Sequence, residues 1–269
     1  MRGWFSRDYE PVASVDPGGS VVFHALNAAW CWEREDEPAR PEGAGHALAG
    51  PFEVRGAAAG RTLVVRVDEI VPRPWGVTWG NGERFDWTLD GEVWRLGRRA
   101  VRSAPFLGVV GMPPPEPGEH STIPPRRFGG NVDCKELVAG TTLFLPIPVD
   151  GALLMAGDAH GAQGDGEVSG TAIECPLESA TLTLEVDDLE LRSPLARTAD
   201  AWLAFGFDED LDLAAEQALA TMLDLMEREL AAPRNECLAL ASVAVDLRVT
   251  QVVNRVKGVH AVLRDDAIR

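Results

Sequence analysis

Four prolines fall within Met112-Pro113-Pro114-Pro115-Glu116-Pro117-Gly118, the strongest punctuation in this 269-residue chain. Proline fixes φ and removes a backbone donor, so neither a helix nor a central strand can run through this segment. It is either a linker between two halves or a long loop over a site, and such loops inside compact domains are often functional. The chain is long enough to bury a sizeable core, and is read as one domain over 1–269 with a possible sub-division near 112–118.

On both sides of this segment the pattern is mostly β. Ser20 to Asn27 reads as a strand entered through the turn Asp16-Pro17-Gly18-Gly19. Thr62 to Ile70 alternates with period two and ends at Pro72 and Pro74. Trp75 to Gly82 is rich in Trp and Gly and has no clear period. The apolar runs Thr141 to Val149 and Ala152 to Ala156 flank Asp150-Gly151, which reads as a hairpin turn. Ala180 to Leu191 sets Leu182, Leu184 and Val186 against Thr181, Thr183 and Glu185, so one face is apolar. The period then changes. Leu211, Ala215, Ala218, Met222, Leu225 and Met226 recur at helical spacing, predicting a helix over 208–230 that packs on the core. Pro233 breaks it, and Asn235 is the expected N-cap of a second helix near 236–245. Arg248 to Val253 and Val259 to Leu263 return to strand around a turn at Lys257-Gly258. The expected fold is mainly β, a sandwich-like or barrel-like body with two C-terminal helices, α+β overall.

Charge narrows the partners. The 42 acidic against 25 basic side chains leave a net charge of -17, which repels nucleic acid and anionic lipid. The clusters Arg95 to Arg102 and Arg126-Arg127 read as solvated surface or ion pairs. No apolar run approaches the ~20 residues a membrane helix needs, and Met1 to Glu10 has no signal-type apolar region. The expectation is a cytoplasmic protein with reduced thiols. Cys31, Cys134, Cys175 and Cys237 form no CxxC, and a Cys134–Cys175 disulfide stays open.

Two segments place short polar side chains and glycines inside apolar surroundings: Gly129 to Leu137 (GGNVDCKEL) and Gly157 to Glu174 (GDAHGAQGDGEVSGTAIE). In an extended chain Asp158 and His160 share a face, and a carboxylate with an imidazole can bind a divalent cation such as zinc. Asn131 and Asp133 have the same spacing and can converge on it. Asp158, Asp165 and Glu167 alternatively suggest a calcium loop, although the spacing is not that of an EF-hand. Glycines 161, 164 and 166 permit sharp turns and close approach to a small substrate. Glu167 and Glu174 bracket a probable strand with opposite parity, and face one site only if a bulge intervenes, for which Gly170 is the natural place. Each is a candidate general base. The glycine run is neither a phosphate loop nor a dinucleotide fingerprint, and no GxSxG elbow is present.

These two segments together resemble the paired signature of the acetamidase/formamidase family. VDPGGSVVFHALNA, GHALAGPFEV, GFDEDLDLAAEQAL and SVAVDLRVTQVVN with KGVHAVL extend the resemblance over nearly the whole chain. The resemblance implies a β-sandwich body with added helices. It also implies hydrolysis of short aliphatic amides to carboxylate and ammonia, usually with a bound divalent metal. Carried over by position, Asp133, Asp158 and His160 are the expected metal ligands, with zinc favoured over calcium or another divalent ion. Glu167 and Glu174 are the expected catalytic residues, Glu167 as the base. Asn131, His46 and Gln163 are expected to hold the amide. His24 and Ser169 depart from the family pattern, where relatives carry a glutamate and a cysteine. Trp75, Trp79, Trp87 and Trp94 either line an acyl pocket or fill the core, and His120 and His260 read as surface or satisfied core. The alternatives are a lactamase using the same site, and a non-catalytic small-amide or metal-binding protein. The expected partners are a small amide and further copies of the chain, a homodimer first.

Overall fold

The computed structural model describes residues 1–268. In chain order its first strands are β1 (Ala13–Val15), β2 (Gly19–Ala25), β3 (Leu48–Val54) and β4 (Thr62–Pro72). A meander follows: β5 (Trp75–Gly80), β6 (Glu83–Asp90), β7 (Val93–Leu96) and β8 (Arg99–Arg102). Next come β9 (Phe106–Gly111), β10 (Gly129–Asn131), β11 (Thr142–Pro146), β12 (Leu154–His160), β13 (Leu177–Asp187), β14 (Leu195–Arg197) and β15 (Ala201–Asp208). Helices α1 (Leu211–Leu230) and α2 (Arg234–Ala244) precede the final hairpin, β16 (Val245–Gln251) and β17 (Lys257–Arg264).

Two large sheets enclose the main core. One has the order β1-β3-β12-β9-β10, the other β16-β17-β15-β14-β11-β4-β13-β2. Their apolar faces meet: Phe52, Leu107, Val110 and Leu154 from the first join Leu63, Val65, Leu143, Leu182 and Leu184 from the second in one buried cluster. Alternation explains β4 and β13, whose outward positions carry Arg66, Asp68 and Glu185. The mainly β body with two late helices is the architecture read from the sequence.

Helix α1 opens where Asp210 caps it, accepting from the backbone N–H of Asp212 (2.8 Å) and Leu213 (3.4 Å). It closes at Ala231, which takes a left-handed conformation (φ 49°) before Pro233. Its buried stripe of Ala218, Met222, Leu225 and Met226 packs on Leu195, Ala204, Val259 and Ala261 of the eight-stranded sheet. The helix can sit this close because Gly206 has no side chain: a Cβ there would lie 2.0 Å from the Ala214 carbonyl oxygen.

Four expectations are corrected. β11 and β12 lie in different sheets, so Asp150-Gly151 is not a hairpin turn. Gly151, Ala152 and Leu153 all take positive φ (81°, 60°, 57°), and the chain there crosses from one sheet to the other. The N-cap of α2 is Pro233, with Asn235 inside the first turn. Lys257 and Gly258 begin β17, and the preceding turn spans 252–256. Trp75 to Gly82, which shows no clear period, is β5 and its turn into β6, the first hairpin of the four-stranded meander.

The proline-rich segment leaves β9 and returns through β10 into the same sheet, so it is a loop. The chain's N-terminal stretch straps it down. Phe5 and His120 exchange backbone hydrogen bonds (2.9 and 2.8 Å), the Gly118 N–H donates to Asp8 (2.7 Å), and the Tyr9 hydroxyl donates to Glu119 (2.6 Å). All four cysteines are buried free thiols, which closes the disulfide question for Cys134 and Cys175. No described helix is long and apolar enough to cross a membrane.

Candidate metal and hydrolytic centre

The sequence-derived candidates converge at one end of the five-stranded sheet. β12 ends in Asp158 and His160, and β10 leads through Asn131 to Asp133 on the far side of β9. Between them lies Gly108 of β9. A Cβ there would meet Asp133 Oδ1 at 2.8 Å, His160 Cε1 at 2.8 Å and Asp158 Oδ2 at 2.9 Å. The chain is not regularly extended at these carboxylates. Asp133, Asp158 and Glu167 take positive φ of 51°, 54° and 44°, each costing about 1–3 kcal/mol for a non-glycine residue. Three such outliers among the acidic residues of one site mark a place where geometry is imposed by tertiary structure.

Asp133, Asp158 and Glu174 are buried, and each keeps a carboxylate oxygen without a hydrogen-bond partner. Asp133 Oδ2 accepts from Asn254 Nδ2 (2.7 Å) while Oδ1 has none. Glu174 Oε1 accepts from the Ala172 N–H (2.8 Å) while Oε2 has none and lies 3.5 Å from His160 Nε2. Asp158 Oδ2 lies 3.5 Å from His160 Nε2 and 3.6 Å from His46 Nε2, and Oδ1 is unpartnered. Donor atoms of Asp133, Asp158 and His160 lie within 4.8 Å of one another, as do those of His160, Glu167 and Glu174.

Proton affinities follow the same crowding. Burial and the neighbouring Glu167 push Asp133 well above the usual carboxylate range. Burial, with Glu174 and Asp158 beside it, raises Glu167 to about 7. Burial would raise Asp158 too, but His46 and His160 outweigh it and hold that carboxyl at about 2. Burial disfavours a charged His160, yet Glu174 and Asp158 carry it well above its ordinary value. The cluster therefore calls for positive charge. One imidazole with three carboxylates, each with an orphaned oxygen, fits a divalent cation in that place.

Gln163 stands behind the cluster. Its Oε1 pairs with His160 Nδ1 (3.0 Å) and its Nε2 donates to the Asp133 carbonyl oxygen (2.7 Å). With Oε1 accepting from Nδ1–H, the lone pair of His160 falls on Nε2, toward Asp158 and Glu174. His46 is fixed through Nδ1 on Thr122 Oγ1 (2.9 Å). Asn131 is buried with its Oδ1 unpartnered. His46, Asn131, Asp158, Glu167 and Glu174 line one cavity of about 300 Å³, together with Trp79 and Asn254. Glu167 also borders a second cavity of about 410 Å³, walled by Thr78, Trp87 and Val101 of the meander.

All eight candidate residues thus meet in one place, with differences in how they arrive. Between Glu167 and Glu174 the chain forms a turn closed by Gly170 N–H to Glu167 O (2.8 Å), not a bulged strand. Asp165, the third member of the calcium-loop alternative, pairs with Lys135 (2.8 Å) and its carboxylate does not join the donor clusters of Asp158 and Glu167. At Gly161 the close approach is made by Trp94, whose indole would lie 2.5 Å from a Cβ there. The four tryptophans divide: Trp75 and Trp94 are core, while Trp79 and Trp87 line the cavities. His24 and Ser169 are exposed.

Gly108, Asn254 and Thr122 went unnoticed in the sequence. Gly108 had a signal, since a glycine within an apolar strand marks a close backbone approach. Asn254 and Thr122 had none, because their partners are distant in sequence.

Comparison with known proteins agrees with this geometry. The sequence profile of the Acetamidase/Formamidase family matches residues 117–190, the stretch that holds every candidate except His46. An acetamidase of Mycolicibacterium smegmatis is 50% identical over 48 residues, 18% of this chain and 12% of that protein. The chain spans about half, at most, of the length of the curated relatives it matches. The crystal structure of an acetamidase from Bacillus halodurans superposes with a TM-score of 0.89 at 28% identity, covering 97% of this chain and 94% of that one. That of a predicted acetamidase/formamidase from Thermoanaerobacter tengcongensis gives 0.90 at 26% identity, covering 97% and 92%. The signature segments fold into one buried acidic centre, the profile match lies across that centre, and the whole-chain fold is shared with these structures, so the chain is similar to acetamidases and formamidases in both sequence and fold.

Proposed function

We propose that this protein hydrolyses the C–N bond of short linear amides, giving a carboxylate and ammonia, with a divalent cation bound by Asp133, Asp158, His160 and Glu174. The observation that carries this reading is the set of buried, unpartnered carboxylate oxygens on Asp133, Asp158 and Glu174 around His160 Nε2. Imidazole among the donors favours zinc over calcium. Such an ion, when bound, supplies Lewis acidity toward the amide carbonyl and the attacking water.

The chain's own residues supply the rest. Glu167 stands at the junction of the two cavities, within reach of a water in the acidic one. Its carboxylate takes the proton of that water as the O–C bond forms, then delivers it to the leaving nitrogen as the C–N bond breaks. Amide nitrogen is a poor leaving group unless protonated, so this return of the proton is as necessary as the attack. Asn131 Oδ1, buried and unpartnered, is an acceptor for the N–H of a primary amide. His46 and Trp79 bound the same space, and about 300 Å³ suits a small acyl group.

The test is ammonia release from formamide, acetamide and propionamide by zinc-loaded and chelated protein, with a cyclic lactam as contrast. Linear substrates should release ammonia only in the loaded form. Turnover of the lactam alone would move the reading to a lactamase, and binding of amides without turnover would reduce the protein to a binder.

A further inference from the structure

Immediately after Asp133, the chain turns its next side chain into a different cluster. Cys134 Sγ lies 3.2 Å from Glu136 Oε2, and His260 Nε2 lies 3.7 Å from the same oxygen. The three donor atoms are within 4.8 Å of one another. Cys134 and His260 are fully buried, and His260 Nε2 has no hydrogen-bond partner. Leaving a polar atom unpaired in the interior is costly, so this nitrogen calls for a partner.

We propose that Cys134 Sγ, Glu136 Oε2 and His260 Nε2 bind a second divalent transition-metal cation of the zinc type, separate from the acidic centre. One sulfur, one nitrogen and one oxygen form a donor set that zinc accepts and calcium or magnesium does not. In a tetrahedral zinc site, ligand atoms stand about 3.3–3.6 Å apart, given metal–ligand bonds of about 2.0–2.3 Å. The 3.2 and 3.7 Å separations lie just either side of that spacing, so side-chain shifts of a few tenths of an ångström would close the site. Thr250 Oγ1 lies 2.8 Å from His260 Nδ1. With the hydroxyl accepting from Nδ1–H, the ring is oriented and Nε2 carries the free lone pair, the outer-shell support typical of a metal-bound imidazole.

Charge is consistent. On binding, the Cys134 thiol releases its proton to solvent, and one thiolate with one carboxylate balances the dication. Arg248 (3.3 Å) and Lys135 (4.0 Å) approach Glu136 through its other oxygen, Oε1, which leaves Oε2 to the cluster. Glu136 and Arg248 line a cavity of about 340 Å³, so the cluster meets that cavity at Glu136.

The test is titration of the metal-free full-length chain with Co²⁺. None of the donors in the acidic centre is a thiol, so a near-ultraviolet thiolate-to-cobalt charge-transfer band reports the second site. Wild-type protein should take up cobalt with that band, and Cys134→Ser and His260→Gln should each lose it while retaining the equivalent held by the acidic centre. X-ray absorption of the wild-type cobalt protein, which requires no variant to fold, should show one sulfur ligand. Cobalt uptake with no thiolate band and no sulfur ligand overturns the proposal, as does a band that persists in Cys134→Ser.

Discussion

Asp133 and Asp158 meet across the backbone of Gly108, both at positive φ, with their carboxylate oxygens 2.8 and 2.9 Å from where a Cβ on that glycine would stand. The missing side chain is what lets two strands bring their acids together. Gly108→Ala should therefore displace the acids rather than merely crowd them. Cation affinity should fall roughly ten- to a hundredfold, in the range typical for disturbed ligand support, with the circular dichroism spectrum unchanged. Retention of wild-type affinity, measured by competition with a chromophoric chelator, would remove Gly108 from the site.

Glu167→Gln removes the proposed proton carrier and leaves the four proposed ligands in place. Ammonia release should fall by about 10²–10⁴-fold, the usual contribution of a general base. Metal content, measured by atomic emission, should stay at the wild-type value. Full turnover in this variant would shift the role to Glu174.

Gln163 tests positioning against substrate contact. Its amide is spent on His160 and on the Asp133 carbonyl. Gln163→Leu should weaken cation binding about ten- to a hundredfold, and saturating zinc should restore much of the turnover with KM little changed. A large rise in KM at saturating zinc would instead place Gln163 on the amide.

Chelation should cost stability as well as activity. A cation at 100 times its dissociation constant stabilises the folded chain by about 2.7 kcal/mol per site. Calorimetry should show a lower Tm for the chelated protein, recovering in proportion to the logarithm of added zinc. An unchanged Tm would mean that the orphaned oxygens are not cation ligands.

Tyr9 is the chain's single tyrosine, so ultraviolet titration reads it directly. Burial first, and then its hydrogen bond to Glu119, push its phenol from 10 up to about 12. A group protonated more tightly in the folded state stabilises the fold below the unfolded pKa, and that contribution disappears as pH rises through the folded one. The strap over the proline-rich loop should hold near pH 10 and loosen toward 12. Glu119→Gln should bring the titration down toward 10, and a wild-type midpoint already at 10 would show that the strap is not formed.

Much of the fold was legible because β4, β13 and α1 each bury one face and leave the other wet. Periodicity reads that contrast directly. The meander was less legible: β8 is exposed throughout, and the apolar face of β6, Phe85, Trp87 and Leu89, is only half-buried, so the contrast between its two faces is weak. The step at Gly151 to Leu153 was misread because a turn dipeptide between two apolar runs looks alike whether the chain stays in its sheet or crosses to the other. In the candidate centre, residue types pointed to Asp133, Asp158 and His160, which the fold brings together, but regular strand parity is not how they meet. Asp158 is left-handed, and Glu167 and Glu174 meet through a turn. Local regularity fails there because tertiary contacts set the backbone.

The meander is joined to the centre through main-chain bonds: Val77 and Glu174 exchange N–H to carbonyl contacts of 2.9 and 2.8 Å. Backbone contacts of this kind do not depend on which side chains the strands carry. Thr78, Trp87 and Val101, which wall the larger cavity, can therefore vary while the attachment and the buried acids remain as they are. The fold thus separates what mutation can explore from what it cannot, and lineages built on it can diverge in cavity lining without rebuilding the buried acidic centre.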